Sequence, residues 1–229
     1  MNSQFRLEKI TDIKLLKTRV YEAIKKSIVN LYFPPDQQLI EQRLAEDFGV
    51  SKSPIREALQ RLEREGLVYT IPFKGCFVAK ITKKDINEIF QFRKALEVFC
   101  VNQAADGFSK ENWRKATELL SKGEVALRED NVERCYEANI EFHDFLIAVI
   151  NNGRIIKAYS NLRDQLDRYR NLASRILGRV AKSHKEHVLI IEAIEQKDKA
   201  LAGGRMFDHL ESVLNDFVHS KELKSFLRE

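Results

Sequence analysis

Four side chains that can bind a metal ion are distributed over three predicted helices in the second part of the chain. Asn139 and His143 are four residues apart, so they share one face of a helix. His187 and His209 belong to two later helices, and the interior of a helical bundle can collect all four. Taken singly, each of the five histidines is more simply a core or surface residue. Their arrangement predicts a site for zinc, nickel or a similar ion.

The helices that would carry these residues follow from the spacing of apolar side chains. All four prolines lie at or before Pro72, and the remaining sequence has the pattern of successive amphipathic helices. The segment from Thr82 to Asp85 has the spacing of a capping box that opens the first of them. We expect six helices and no strand, over residues 82–106, 110–129, 132–151, 154–176, 179–196 and 199–220. This change of pattern predicts two domains, one of residues 1–81 and one of residues 82–229.

The first 81 residues predict a helix-turn-helix followed by a β-hairpin. Helices are expected over residues 13–31, 40–48 and 51–65. Gly49 ends the second helix, and Ser51 offers a side-chain cap to the third. Short β-type runs at residues 67–71 and 76–81 flank a turn at residues 72–75, which is the wing. The predicted fold is mainly α, with an N-terminal winged helix-turn-helix, its small β-hairpin wing, and a C-terminal all-α antiparallel helical bundle.

One side of the third helix has the composition that a DNA major groove requires. The apolar side consists of Ile55, Ala58, Leu59 and Leu62, and the opposite side consists of Lys52, Ser53, Arg56, Gln60 and Glu63. Arg56 can present two parallel donors to guanine, whereas Lys52 and Ser53 can hold phosphates. At the wing tip, Lys74 and Gly75 would approach the adjacent DNA backbone. On this pattern alone, an ordinary solvated helix face is the alternative.

Composition narrows the classes of protein to which the chain can belong. The net charge is +5, and residues 1–80 hold 14 Lys and Arg against 10 Asp and Glu, a weak indicator of polyanion binding. The longest apolar run, residues 145–150, is far shorter than the roughly 20 residues of a membrane span. Residues 1–11 lack the apolar region of a secretory signal. We therefore expect a cytoplasmic protein without membrane contact, whose three dispersed cysteines stay reduced.

Residues 39–78, LIEQRLAEDFGVSKSPIREALQRLEREGLVYTIPFKGCFV, closely resemble the winged-helix signature of the GntR family of bacterial regulators. The resemblance covers the second helix, the Gly-Val-Ser turn, Pro-Ile-Arg-Glu-Ala-Leu, Glu-Gly-Leu and the wing glycine. It implies that the residues facing DNA are Ser51, Lys52, Ser53, Arg56, Lys74 and Gly75. Gln42 stands where some members have a phosphate-binding arginine. Lys52 replaces the usual arginine, and because lysine lacks the guanidinium fork we expect it to contact phosphate.

The second domain resembles the FCD ligand-binding domain of FadR-type GntR regulators over roughly residues 83–220. The motifs that carry this resemblance are Asn139-Ile-Glu-Phe-His143, Glu186-His187 with Ile190, Ala193-Ile194, and His209-Leu210. In many such domains the matching positions are Asp, His, His and His, and they bind a divalent metal that holds a small carboxylate effector. Asn139 replaces the aspartate and is a neutral, weaker ligand. Six predicted helices resemble the VanR-type subgroup more than the seven-helix one.

Arg93 matches an arginine of the first FCD helix that often lies near the effector cavity, where a guanidinium can pair with a carboxylate. The alternative for Arg93 is a surface salt bridge with Glu97, four residues further along the helix. Both interpretations fit the sequence.

The sequence therefore predicts a transcriptional regulator, most simply a repressor, that binds operator DNA as a homodimer. Its operator affinity would respond to a small organic acid held by zinc or nickel. A metal-free regulator with a vestigial site is one alternative. A helical metalloenzyme with an accessory DNA-binding domain is another, but the chain contains no Glu-x-x-His pair, no His-Glu-x-x-His motif and no phosphate-binding loop.

Overall fold

The structure is a computed structural model that describes residues 10–221, 223, 227 and 228. Residues 1–9, most of the segment in which no secretory signal is expected, lie outside the described residues. The chain divides into two compact units between Lys80 and Ile81. Each unit is described by itself below.

The N-terminal unit contains three helices and a three-stranded sheet. Its elements are α1 Ile10–Val29, β1 Gln38–Leu39, α2 Glu41–Phe48, α3 Lys52–Arg64, β2 Val68–Ile71 and β3 Gly75–Val78. The sheet has the order β1-β3-β2 and is antiparallel throughout. Strands β2 and β3 are the predicted hairpin, whereas the two-residue β1 was not predicted, because a pair of residues has no detectable periodicity.

The turn between α2 and α3 follows the prediction in its backbone but not in its cap. Gly49 ends α2 in the left-handed region at φ 63°, a conformation that glycine adopts without steric cost. Ser51 has the extended backbone of an N-cap, yet its side chain makes no capping hydrogen bond, so that prediction was wrong. Pro54 occupies the third position of the helix and so removes one of the two N–H groups, those of the second and third positions, from which a capping side chain can accept.

The core of the N-terminal unit confirms the predicted faces of α3. Ile55 and Leu62 are fully buried, and Ala58 and Leu59 are nearly so. They pack with α1 side chains such as Ile24 in one apolar cluster. The opposite, polar side of α3 is left exposed.

The C-terminal unit is a bundle of helices. Their bounds are α4 Lys83–Arg93, a π-helical turn Lys94–Val98, α5 Phe99–Ala104, α6 Lys110–Arg128, α7 Val132–Ala148, α8 Gly153–Asn161, α9 Arg163–Ser174, α10 Arg179–Glu195 and α11 Lys199–His219. The predicted capping box is confirmed, because the Asp85 N–H donates to the Thr82 hydroxyl and the Asp85 carboxylate accepts from the Thr82 N–H, both at 3.1 Å.

Two predictions for this unit were wrong. Residues 154–176 form two helices that meet at Leu162, so the described part of the unit holds seven helices when α4, the π-helical turn and α5 are counted as one. This count removes the ground for the six-helix, VanR-type expectation. The unit also contains strands β4 Ile81–Thr82 and β5 Leu227–Arg228, which pair in parallel although no strand was expected.

The composition led us to expect reduced cysteines and no membrane-spanning segment. Cys76, Cys100 and Cys135 are buried and free. Among the described residues, no helix combines the length and the apolar composition that crossing a bilayer requires.

Candidate functional site

Three histidines from three helices meet inside the C-terminal unit. His143 lies on α7, His187 on α10 and His209 on α11, and all three are almost completely buried. The Nε2 atom of His209 lies 3.3 Å from Nε2 of His143 and 3.4 Å from Nε2 of His187. Nitrogen ligands about 2.0–2.1 Å from one zinc ion are themselves separated by roughly 3.3 Å in a tetrahedral site. Two of the three pairs therefore have the spacing of ligands to a single ion, and the ligand atoms of all three histidines lie within 4.8 Å of one another.

Two glutamates fix the orientation of these rings. Glu97 Oε2 lies 2.6 Å from Nδ1 of His143, and Glu186 Oε2 lies 2.7 Å from Nδ1 of His209. A carboxylate at Nδ1 accepts the proton there, so the lone pair of the ring is left on Nε2, the atom that faces the other histidines. Metal-binding histidines are commonly held in this way.

The electrostatics keep the histidines neutral and the glutamates charged. Burial lowers the pKa of His143, His187 and His209 below the ordinary value, most strongly for His187. Burial alone would raise the pKa of Glu97, but Arg93 and His143 outweigh it and hold that pKa below its usual range. Neutral imidazoles and ionised carboxylates are the protonation states that a metal centre needs.

Asn139 lines the same cavity as the three histidines. It lies one turn before His143 on α7, and its Nδ2 donates to the carbonyl of Val180 at 3.2 Å. Because the amide nitrogen is engaged there, the amide oxygen is the atom that Asn139 can offer as a ligand.

Arg93 pairs with Glu97, as one of the two interpretations expected, and it also lines the cavity. Its Nε donates to Glu97 at 2.7 Å, but the pair is buried rather than on the surface, with 4% and 1% of the two side chains exposed. Its Nη2 also lies 3.4 Å from each ring nitrogen of His143. Arg93 thus reaches the histidine cluster directly.

A cavity of about 50 Å³ adjoins the cluster. Its polar lining comes from Arg93, Asn139, His143, Arg170, Arg179, Ser183, His187 and His209 together with two tyrosines and Ser174, and its apolar lining includes Ile89, Phe90, Leu166 and Val213. Ligand pockets typically combine apolar walls with convergent polar groups, and this cavity has both.

The second candidate surface belongs to the N-terminal unit. The residues predicted to face DNA are Gln42, Ser51, Lys52, Ser53, Arg56, Lys74 and Gly75, and all seven are exposed. Arg56 leaves 59% of its side chain exposed, and its Nε contacts Glu41 of α2 at 2.7 Å. Gln42 donates to Glu46 one turn further along α2.

The wing tip has a defined backbone. Gly75 has φ 102°, a backbone conformation that residues other than glycine rarely adopt. Gln38 donates from Nε2 to the carbonyl of Lys74 at 2.6 Å and so ties the turn to β1. The backbone at Lys74 and Gly75 is therefore held in place before any partner binds.

Sequence reasoning did not identify the carboxylates behind the histidines. The sequence indicates Glu97 only as a surface partner of Arg93, and Glu186 only as part of a motif. A usable signal existed for Glu97, because it falls on the stripe of α4 and α5 that contains Phe90, Val101 and other buried residues. A carboxylate on such a stripe needs a buried partner.

Comparisons with known proteins agree on the class of this chain. The FCD domain family matches residues 88–212, more than half of the chain, and the family described as bacterial regulatory proteins, gntR family, matches residues 16–78. The chain is 29% identical over 220 residues to the HTH-type transcriptional regulator YdhC of Bacillus subtilis, covering 96% of each protein. It is 25% identical over 215 residues to the gluconate operon transcriptional repressor of the same species, covering 90% of this chain and 87% of that protein.

The fold is similar to that of a GntR transcriptional regulator from Rhodococcus sp. RHA1, with a TM-score of 0.71 at 22% identity over 89% of this chain and 98% of the other. The relatives are named regulators or repressors, so these matches give the metalloenzyme alternative no support. The winged helix, the helical domain and both family matches lead to one conclusion: the chain belongs to the GntR family of bacterial transcriptional regulators and carries an FCD domain.

Proposed function

We propose that this chain is a repressor whose operator affinity is set by a small organic acid bound next to a divalent metal ion. The observation that carries the proposal is the convergence of His143, His187 and His209, with two of the rings oriented by buried glutamates. The alternative of a metal-free regulator does not explain why three neutral imidazoles direct their nitrogens toward one point.

His143, His187 and His209 would hold the ion through Nε2, with the amide oxygen of Asn139 as a weaker fourth ligand. Three imidazoles suit zinc or nickel. When bound, the ion supplies a positive charge that can anchor a carboxylate oxygen. The donor set fits such an ion because every ring is neutral and two rings are fixed in the required tautomer.

Arg93 would contact the same carboxylate. Its Nη2 group lies beside His143, and a guanidinium forms strong, charge-assisted hydrogen bonds with carboxylates. One relative is named for a gluconate operon, and gluconate is an organic acid. We extend that ligand chemistry, though not that compound, to this chain.

The N-terminal unit would bind operator DNA. Arg56 is the residue proposed for direct base readout, and the residues proposed for phosphate and backbone contacts are Gln42, Ser51, Lys52, Ser53, Lys74 and Gly75. Helix-turn-helix proteins bind two half-sites as symmetric dimers, so we propose that this chain acts as a homodimer. Residues 1–81 would then be the DNA-binding domain, and residues 82–229 the effector-binding and dimerisation domain.

The two activities are linked through the relative affinity of the ligand for two arrangements of the dimer. A ligand shifts such an equilibrium only by its differential affinity, typically about 1–3 kcal/mol, or roughly 5- to 150-fold in operator affinity. We propose that the acid favours the arrangement whose half-site spacing does not match the operator.

Metal analysis combined with operator binding tests the proposal. Purified chain is incubated with zinc or nickel, freed of excess ion, and assayed for bound metal; we expect about one equivalent per chain. His143→Ala should lose this metal, and His219→Ala, which changes an exposed histidine outside the cluster, should retain it. Operator binding is then measured with and without small organic acids. If neither the wild-type chain nor His219→Ala binds metal, the metal-free alternative is correct. If no acid changes operator binding, the effector role is wrong.

A further inference from the structure

Three buried arginines line the cavity in the C-terminal unit, whereas none of the described residues that line it is a carboxylate. The arginines are Arg93, Arg170 and Arg179, each with less than a tenth of its surface exposed. The acidic groups that neutralise them, such as Glu97 and Glu186, lie behind the lining. The cavity itself therefore presents hydrogen-bond donors and suits an anion.

The three arginines differ in how completely their donors are used. Every nitrogen of Arg179 has an acceptor: Nε donates to Ser183, Nη1 to Ser212 and Asp216, and Nη2 to Glu186. Arg179 thus links α10 to α11. Because each of its nitrogens already donates to an acceptor within the protein, we do not assign it to the ligand.

Arg170 is incompletely satisfied. Its Nη1 donates to Asp167 at 3.1 Å and lies 3.6 Å from Asp144, and its Nη2 donates to the hydroxyl of Tyr159. Its buried Nε, however, has no hydrogen-bond partner among the described residues. Buried donors are nearly always paired, and an unpaired one costs about 1–3 kcal/mol. One buried donor of this cavity-lining arginine is therefore left for a ligand or a water molecule to satisfy.

One N–H of the Nη2 group of Arg93 donates to Glu97 at 3.5 Å, and the other is an open donor once the histidine cluster holds an ion. His143 gives its Nδ1 proton to Glu97 and its Nε2 lone pair to the metal, so its ring offers no acceptor to the Nη2 group of Arg93. Arg93 and Arg170 lie near each other, because Glu97 accepts from both Arg93 and Tyr159, and Tyr159 accepts from Arg170. One small molecule can therefore reach both donors.

We propose that Arg170 is a second anchor for the ligand and that the ligand is a compact dicarboxylate. One carboxylate lies at the histidine cluster and Arg93, and the other accepts from Nε of Arg170. This inference rests on the proposed function, because it assumes that the cavity holds an organic acid. The cavity of about 50 Å³ has room for only a few groups the size of a water molecule, which favours the shortest diacids over longer ones.

Calorimetric titration of the full, zinc-loaded chain tests this assignment. The probes are malonate and succinate, each compared with the monocarboxylates acetate and propionate. We expect wild type to bind the better diacid at least about tenfold more tightly than either monocarboxylate, since a second charged hydrogen bond adds at least this much.

Two variants locate the preference. Arg170→Lys keeps a positive charge beside Asp144 and Asp167 but lacks the Nε–H, so it should lose the diacid preference while its monocarboxylate affinity stays unchanged. Arg163→Met removes an exposed arginine that contacts the same two aspartates and does not line the cavity, so it should keep the preference.

Failure of this inference is distinguishable from failure of the proposed function. Equal binding of diacids and monocarboxylates by wild type would mean that water satisfies Arg170, and it would overturn the dicarboxylate while leaving an acid effector in place. A diacid preference retained in Arg170→Lys would overturn the role of Arg170. Absence of binding by any acid would reject both proposals. The comparison within wild type remains decisive if Arg170→Lys does not fold.

Discussion

Glu97 is the residue on which the chemistry of the histidine cluster depends most directly. It orients His143, neutralises Arg93 and accepts a hydrogen bond from Tyr159 at 3.3 Å, all within the interior of the C-terminal unit. The desolvation of a buried carboxylate is costly, and these three partners together offset it.

Glu97→Gln should weaken zinc binding by about 10- to 100-fold, because the amide cannot hold the Nδ1 proton of His143 as strongly as a carboxylate does. The measurement is competitive zinc titration against a chromogenic chelator. Glu88→Gln is the control, since Glu88 is an exposed residue of the same helix that contacts Lys84. An unchanged zinc affinity in a folded Glu97→Gln protein would show that Glu97 serves only to neutralise Arg93.

Arg56 and Lys52 should differ in how they contribute to DNA binding. Arg56→Ala should cost about 1–3 kcal/mol on the operator and relax base preference, because the guanidinium fork reads a base edge. Lys52→Ala should weaken operator and random duplex alike and lower the salt slope by about one, since it removes one phosphate contact. Fluorescence anisotropy at several salt concentrations separates the two effects. Operator binding by Arg56→Ala equal to that of wild type would contradict the readout role.

Helix faces and caps could be predicted from the sequence where they depend only on neighbouring residues. The faces of α3 and the capping box at Thr82 could be predicted because each depends on residues within one or two turns. The Ser51 side chain makes no cap, and Pro54 removes one of the two N–H groups from which it could accept. The break between α8 and α9 carries no glycine or proline, and the β4–β5 pair joins residues that lie far apart in sequence.

In the candidate site, too, some residues could be predicted from the sequence and others could not. The three histidines could be assigned from their positions on separate helices, and the family resemblance supported the choice. The bond between Glu97 and His143 joins residues 46 apart in sequence, so only the packing of α4 and α5 against α7 reveals it. The open donor of Arg170 likewise depends on which acceptors the fold places around it.

Two adjacent glycines of α11 provide a test of helix packing. A Cβ on Gly203 would overlap the side-chain amide of Asn102, whereas a Cβ on Gly204 would meet nothing within 4 Å. Gly204→Ala should stabilise the protein by up to about 1 kcal/mol through helix propensity. Gly203→Ala should destabilise it, because overpacking costs about 1–3 kcal/mol and exceeds that gain. Urea unfolding measures both, and equal stabilities would mean that α5 and α11 are not in close contact.

For the whole molecule, a bound ion would join three helices that are separated in the sequence. The histidine cluster takes one residue each from α7, α10 and α11, which together form much of the C-terminal core. Any ion that binds the folded state alone adds to the stability of that unit.

Zinc at about one hundred times its dissociation constant should therefore add about 2.7 kcal/mol and raise the melting temperature by roughly 5 to 10 °C. Differential scanning calorimetry with zinc, and again after a chelator, makes the measurement. His143→Ala should lose the shift, and His219→Ala should keep it. A similar shift in both variants would indicate that zinc binds elsewhere.

The π-helical turn at residues 94–98 makes the position of Glu97 depend on chain length as well as on residue type. Deleting one residue from this turn would allow a regular α-helix to form, and the residues after it would keep nearly the same direction because a π-helical turn takes up one residue more than an α-helical turn, whereas Glu97, inside the turn, would move. Such a shortened chain could retain every cavity-lining side chain and still lose the contact with His143. A scan of single-residue deletions would therefore detect a requirement that substitutions at the same positions leave hidden.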